Sequence, residues 1–378
     1  MATRVLILSA GIGEGHNLPA RMIEAGLLEL DPQCEVVIVD SLAEMGRAAA
    51  LLIDDSSELM FDRFNWLFDG VYFLVARFDP TRKLGQWLAE RVGRKGLIRL
   101  IAEQQPDVIV CTHPMATDLL GRLRQRGELG TPVASAITDL AGLRYWAHPG
   151  ADLHLITEEE SRAEVEQIAP GSRIVCVRGM TSPQFEQPLS QADARAALEM
   201  PADGPLIIVS GGGWAVGDLG GAGEVALAAN PEGRVVILCG RSEEVYSRLT
   251  EAFALAPRAK VVGFTERMPE LLAAADVLVH STAGLTGFEA RVRGCQLISY
   301  GWGVAHIRLN NEAYEQFALA EVAPDRSSLA DALARALQRS WALAPERHGR
   351  CRLWRRSFRR SHGRSACRAA ATAPVELR

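Results

Sequence analysis

Residues 276–301, DVLVHSTAGLTGFEARVRGCQLISYG, decide how this chain is read. Asp276–His280 is a short apolar run of the kind that forms a buried parallel strand. It breaks at Ser281-Thr282-Ala283-Gly284, and a helical pattern follows through Phe288, Glu289, Ala290 and Val292. Gly294 then stops the helix, and Gln296–Tyr300 reads as the next strand. A small-residue turn opening a helix aims free backbone N–H groups and the positive end of the helix dipole at one point, which suits an anion such as a diphosphate. Glu289 lies about one and a half turns into that helix, within reach of a sugar hydroxyl on a bound nucleotide. The plainer alternative is an ordinary strand-to-helix turn, N-capped by Ser281 or Thr282.

Working outward, the same strand–turn–helix rhythm runs through most of the 378 residues. Strands are expected at 4–9, 35–39, 107–111, 133–138, 152–156 and 173–177, with helical patterns at 19–30, 83–104 and 160–168. The polar, turn-rich segment 181–192 reads as a linker. The alternation restarts at 205–210, 234–239, 259–263, 276–280 and 296–300. Two tandem doubly wound parallel α/β sheets are therefore expected, facing a cleft at their strand C-terminal ends. The boundaries this implies are an N-terminal domain of 1–180, a C-terminal domain of 181–340 and a tail of 341–378.

Composition narrows the class. Hydrophobic content of 48% and charged content of 23% describe a soluble globular protein. No apolar run approaches the ~20 residues of a membrane span, and MATRVLILSAG lacks the layout of a signal peptide. The seven cysteines are scattered and never in C-x-x-C spacing, so reduced thiols are expected rather than a disulfide framework or a zinc site. The tail carries ten Arg and two acidic residues, leaving residues 1–340 at −13 within a total of −5. That tail reads either as a disordered end or as a binder of phosphates or anionic lipid. Residues 61–87 hold eight of the 23 aromatics, interleaved with Arg63, Arg77, Arg82 and Lys83. Such a mixture suits a surface that enters the lipid interface, or a helical insertion packed on the core.

Several loops carry candidate chemistry. Strand 4–9 runs into Gly11-Ile12-Gly13-Glu14-Gly15-His16-Asn17, where glycines admit a close ligand; His16 occupies the place a dinucleotide fingerprint gives to glycine. A histidine at this loop-to-helix junction can take a proton from an incoming hydroxyl near neutral pH, or merely cap the helix. Asp139, at the end of a neighbouring strand, either orients His16 or serves as the base itself. In the second half, Ser210-Gly211-Gly212-Gly213-Trp214 offers another glycine-lined approach for phosphate. The loop around Phe264 and Met268 offers backbone to the edge of a nucleobase. The segment 301–311 brings His306, Asn310 and Asn311 to another strand end. No D-x-D occurs, so a metal-clamped diphosphate is not expected, and helix N-termini and backbone amides would have to stabilise the leaving group.

Together GIGEGHN (11–17), PDVIVCTHP (106–114), TDLAGLRYWAHPGADLHLITEEE (138–160), VVGFTERMPELLAAADVLV (261–279), HSTAGLTGFEA (280–290) and the 303–311 loop resemble one family. It is the GT-B glycosyltransferases of the monogalactosyldiacylglycerol synthase and processive diacylglycerol glucosyltransferase type, related to the lipid-linked N-acetylglucosaminyltransferase of peptidoglycan synthesis. The resemblance spans roughly residues 4–335. It implies inverting transfer of a hexose or N-acetylhexosamine from a UDP-sugar to a lipid hydroxyl. The expected partners are a UDP-sugar donor, a lipid acceptor and the cytoplasmic membrane surface, with no nucleic acid, no metal and no cofactor beyond the donor substrate. By position His16 matches the family's glycine-loop histidine, with Gly13, Gly15 and Asn17 around it. Ser281, Thr282, Ala283 and Gly284 match the diphosphate turn, and Glu289 the acid on the donor ribose. Phe264 and Met268 stand where uracil is held, and His306, Asn310 and Asn311 where the sugar is read. Residues 61–87 fall in the acceptor and membrane-docking region. Two departures stand out: Leu143 replaces a histidine after Thr138-Asp139, and Arg178-Gly179-Met180-Thr181 replaces the usual hinge turn. Two other classes fit the fold: a non-hydrolysing UDP-sugar 2-epimerase, which would not need an aromatic membrane patch and is separated by lipid dependence, and a non-catalytic nucleotide-sugar-binding scaffold, against which a retained His16 counts.

Overall fold

The computed structural model describes residues 2–11, 14–46, 79–178, 180–281, 284–301, 303, 306–338 and 352–353. Strands in chain order are β1 Arg4–Ser9, β2 Glu35–Asp40, β3 Val108–Cys111, β4 Val133–Ala136, β5 Leu153–Ile156, β6 Arg173–Arg178, β7 Leu206–Ser210, β8 Arg234–Leu238, β9 Ala259–Val262, β10 Val277–His280, β11 Gln296–Tyr300, β12 Glu321–Ala323 and the two-residue β13 Arg352–Leu353. The helices are α1 Glu14–Leu30, α2 Ser41–Met45, α3 Asp79–Gln104, α4 Pro114–Gln125, α5 Arg162–Ile168, α6 Gln191–Ala197, α7 Leu219–Ala229, α8 Glu243–Ala252, α9 Met268–Ala274, α10 Leu285–Arg293, α11 His306–Gln316 and α12 Arg326–Gln338.

The chain divides into two compact units, Met1–Met180 with Val304–His306 and Glu346–Arg378, and Thr181–Gly303 with Ile307–Pro345. The first contains a sheet ordered β13-β6-β5-β4-β3-β1-β2, the second a sheet ordered β12-β11-β10-β7-β8-β9. Every pairing is parallel. The doubly wound architecture expected from the alternation is thus present twice.

Alternating residues of each central strand feed opposite faces of its sheet. In the first unit Leu6, Leu8, Ile109 and Cys111 join Leu97, Leu100 and Leu119 of α3 and α4 on one face. Val5, Ile7, Val108 and Val110 join Ala20, Ile23 and Leu27 of α1 on the other. A strand buried on both sides must be apolar at successive positions, which is why these strands read as unbroken Val/Ile/Leu runs. Each such side chain contributes about 1.5–3 kcal/mol when fully buried. The second unit repeats the pattern, with Ile207, Val209, Val235, Ile237, Val277 and Val279 packed against Leu219, Leu249, Leu329 and Leu333. An ion pair pins the edge where its strands begin. Arg195 of α6 donates to Asp276 at 2.9 Å and to the Ala202, Gly204 and Ala274 carbonyls, while Asp276 also accepts from the Leu206 N–H.

Three details differ from expectation. Helix α1 begins at Glu14 and carries Pro19 inside it, five residues before the segment predicted from the pattern. Strand β12 was not anticipated, being three residues long and at the sheet edge. Cys176 of β6 is disulfide-bonded, against the expectation of seven reduced thiols, whereas Cys34, Cys111, Cys239 and Cys295 are buried and not in disulfides. No helix among the described residues is long and apolar enough to cross a membrane. The aromatic stretch up to residue 78 and the basic tail, apart from 352–353, lie outside the described residues.

Candidate functional site

Strand order determines where each sheet presents its loops. In the first sheet the chain progresses one way through β1-β2 and the other through β3-β4-β5-β6, so the loops after β1 and β3 diverge and leave a crevice. In the second sheet the same reversal falls between β7 and β10. The candidate residues gather at these two switch points.

At the first, β1 ends in buried Ser9 and Ala10, and Gly11 donates its N–H to Asp40 Oδ2 at 2.9 Å. Ser9 Oγ donates to Asn17 Oδ1 at 2.6 Å, tying the strand end to the first turn of α1. His16, one residue earlier on that turn, is partly buried, with Nδ1 2.7 Å from the carbonyl oxygen of Thr112 at the end of β3. A carbonyl can only accept, so Nδ1 carries the proton and Nε2 is the basic nitrogen. The His113 ring stands edge-on to His16 at 5.0 Å, and the Trp146 ring lies 5.8 Å away, tilted by 39°. Trp146 Nε1–H donates to Asp139 Oδ2 at 2.7 Å. Burial, reinforced by the His16 charge, drives the His113 pKa well below its usual value, so His113 stays neutral. Gly15 is open on its Cβ side; Gly13 lies outside the described residues.

At the second switch point the loop after β7 forms a single turn of helix, Gly212–Trp214, opened by Gly211. A Cβ on Gly211 would stand 2.4 Å from the Val216 carbonyl, so only glycine closes this loop. Gly240, at φ +53°, packs on the Gly212 and Gly213 carbonyls with equal economy of space. Next to it Arg241 donates its N–H to Gly213 O and lays its guanidinium 4.1 Å over the half-exposed Phe264 ring. Met268, four residues on, is the first residue of α9.

Strand β10 pairs with β7 so that His280 faces Ser210, and the buried Ser281 N–H reaches Ser210 O. Thr282 and Ala283 lie outside the described residues. Helix α10 opens at Gly284, and among the described residues no side chain caps it. Glu289, on the next turn, is buried at 8% exposure, and no hydrogen-bond or ion-pair partner holds it among the described residues. Burial alone pushes its pKa up to about 7. A carboxyl isolated this way costs stability unless something arrives to bond it. Among the sugar-reading candidates, Asn311 is fully engaged: it accepts from Ser299 Oγ at 2.6 Å and donates to Gly301 O at 3.0 Å, holding the loop between β11 and α11. Asn310 is buried beside it, and His306 is the first residue of α11.

Two further residues occupy places that were not foreseen. Arg241 follows a strand in an ordinary Gly-Arg-Ser turn, and only its stacking on Phe264 marks it. Trp146 lies seven residues from Asp139 across a short turn, Leu143–Tyr145, within the motif 138–160, and nothing local signalled its bond to Asp139.

Residues 16–175 match the family model of monogalactosyldiacylglycerol (MGDG) synthase. The chain is 23% identical over 299 residues to the processive diacylglycerol beta-glucosyltransferase of Staphylococcus saprophyticus, and 24% identical over 300 residues to that of Staphylococcus aureus strain MRSA252. Each alignment covers 78% of this chain and 74% of the relative. Among solved structures, Arabidopsis thaliana UGT89C1 complexed with UDP-L-rhamnose aligns over 98% of both chains with a TM-score of 0.56 at 12% identity. Medicago truncatula UGT71G1 complexed with UDP-glucose gives 0.56 at 12% identity, over 90% of this chain and 91% of that one. Sucrose-phosphate synthase from Thermosynechococcus elongatus gives 0.51 at 16%, over 89% and 90%. The resemblance drawn from the motifs and the GT-B fold it implied are both borne out.

Proposed function

We propose that this chain, a glycosyltransferase of the GT-B fold related to the monogalactosyldiacylglycerol synthases, moves a hexose or N-acetylhexosamine from a UDP-sugar to the hydroxyl of a diacylglycerol-type lipid, with inversion, at the cytoplasmic face of the membrane. The observation that carries the reading is Glu289: a buried carboxyl that has no partner among the described residues, just over one turn into a helix whose start none of their side chains caps, at the strand-order switch of the second sheet. Such a helix end is suited to the diphosphate, and the carboxylate to the ribose hydroxyls. Phe264, backed by Arg241, and Met268 supply a flat surface and loop backbone for the uracil. The glycine turn 211–213 admits phosphate closely, and His306 and Asn310 are assigned to the sugar. Asn311 is assigned to shaping their loop.

His16 is the general base in this reading. Its Nε2 takes the proton of the lipid hydroxyl as the oxygen–C1 bond forms. The bond between C1 and the phosphate oxygen breaks with its electron pair leaving on UDP, where the α10 N-terminus, with Ser281, Thr282 and Ala283 before it, stabilises the charge. The lipid acceptor is supported by the names of the relatives. Leu84, Trp87 and Leu88, exposed on the first turns of α3 with Arg91 stacked 5.5 Å over Trp87, support contact with a membrane surface. The reading is tested by measuring UDP release from a panel of UDP-sugars with diacylglycerol in anionic vesicles. Lipid-dependent release is the expected outcome, and release indifferent to lipid contradicts it.

A further inference from the structure

The sequence left Asp139 either to orient His16 or to serve as the base itself; the structure brings the Trp146 indole to both, its N–H donating to Asp139 and its ring lying 5.8 Å from that of His16. Resting on the reading of His16 as base, we propose that Trp146 couples the two: Asp139 holds and polarises the indole, and the indole stabilises the imidazolium that His16 becomes when it takes the acceptor proton. Trp146 is then a positioning residue, and Asp139 acts on the base through it.

The geometry supplies each link. Trp146 is 2% exposed, and its main chain is fixed on both sides: its N–H bonds Leu143 O at 2.9 Å, and its carbonyl accepts from Ser135 Oγ at 2.7 Å. Its indole N–H donates to a carboxylate at 2.7 Å, a charge-assisted bond that pushes electron density back into the ring. A cation within about 6 Å of an indole centroid is attracted to the ring's negative face, most strongly for Trp among the aromatic residues. The 5.8 Å separation from His16 falls within that range.

Among the described residues, the neighbouring groups are placed for other tasks. His113, the other ring against His16, is kept neutral by burial and supplies no negative charge. Glu164 of α5 accepts the Leu143 N–H at 2.8 Å, so it braces the turn that carries Trp146. Arg144, on that turn, has the wrong sign to stabilise an imidazolium. Asp40 reaches the Gly11 N–H across the first loop. Thr112 O fixes which nitrogen of His16 is basic but has no charge to give.

The test uses the full chain with 15N-labelled histidine and tryptophan, following His16 by its ring nitrogens and Trp146 by its indole N–H across a pH titration. His16 is assigned by the signal absent from His16→Ala. In the wild type the indole N–H should shift in step with the protonation of His16. The Asp139→Asn variant should lower proton affinity at His16 about tenfold. In a Trp146→Phe background the same substitution should change it little. Turnover should fall about tenfold in each single variant, with KM for the donor unchanged. An indole signal flat through the His16 titration overturns the coupling, and this is read in the wild type, whatever the folding of the variants. Equal effects of Asp139→Asn in both backgrounds also overturn it, because the carboxylate would then act directly through space. The base assignment fails separately: His16→Ala with wild-type turnover removes it while the titration still reports on the coupling.

Discussion

The two switch points are built on opposite principles. Around His16 the side chains that orient the base are bonded before any substrate arrives: Asn17 accepts from Ser9, Thr112 O from His16, and Asp139 from Trp146, while Nδ1 of the neighbouring His113 has no hydrogen-bond partner among the described residues. Around Glu289 the described residues give the central carboxyl no partner and the helix start no side-chain cap. A group that must move a proton benefits from orientation fixed in advance, since misaligned proton transfer wastes rate. A group that must bind can wait at some cost in stability, because the ligand then supplies the missing bonds and the energy appears as affinity. On the proposed reading, the difference teaches that pre-bonded and waiting side chains suit two different tasks within one pair of similar sheets.

The largest expected effect breaks the comparison at its first side. His16→Ala should lower turnover by ~10²–10⁴, the usual worth of a general base, while UDP affinity by calorimetry stays within about twofold. Loss of affinity as large as the loss of rate would move His16 into the donor site.

Glu289→Ala should do the reverse, weakening UDP by roughly 10- to 150-fold, as expected for losing a charged hydrogen bond of about 1.5–3 kcal/mol. Equal affinities in calorimetry would take Glu289 out of donor binding.

A third prediction concerns the cost of the unsatisfied side. The Glu289 pKa is raised in the folded protein, so its protonated form is the one the fold favours. Its contribution to stability is complete below the ordinary carboxylate range near 4.5 and is lost as pH rises through about 7. Ligand-free Glu289→Gln should therefore be more stable than wild type at pH 8, by ~2–3 kcal/mol in urea unfolding, and indistinguishable at pH 4. Saturating UDP should shrink the gap at pH 8. A gap that is the same at both pH values would mean the carboxyl is not desolvated.

Smaller still is the effect at the pyrimidine face. Arg241→Ala removes the cation stacked on Phe264, and UDP affinity should drop by about 2- to 10-fold, in keeping with a partly exposed cation–π contact of ~0.5–1 kcal/mol plus lost rigidity. No change in calorimetry would leave Arg241 as a brace for the Gly213 turn alone.

Much of this was legible in the sequence, for physical reasons. Parallel strands buried on both faces must be written as apolar runs, so β1, β3, β7 and β10 announce themselves. Gly294 stops α10 in the left-handed region at φ 77°, where glycine is at ease. Pro19 misled because a proline commonly opens a helix, whereas here the chain tolerates it inside α1, above the open Gly15. The edge strand β12 is too short to carry a period. At the site, types and spacing pointed to His16 and Glu289, but not to the indole between His16 and Asp139. That contact is made by the path of a loop, which no local pattern encodes. Nor did the sequence reveal that Asn311 spends both ends of its amide on the loop carrying it.

The central claim is inverting transfer to a lipid hydroxyl. It is tested most directly by the anomeric configuration of the product formed from a 13C-labelled α-linked UDP-sugar and diacylglycerol vesicles, read by the C1–H1 coupling in the extracted lipid. The account predicts a β-glycolipid that accumulates with wild type and falls away with His16→Ala. An α-linked product, or UDP release with all label recovered in water-soluble sugar, would contradict it.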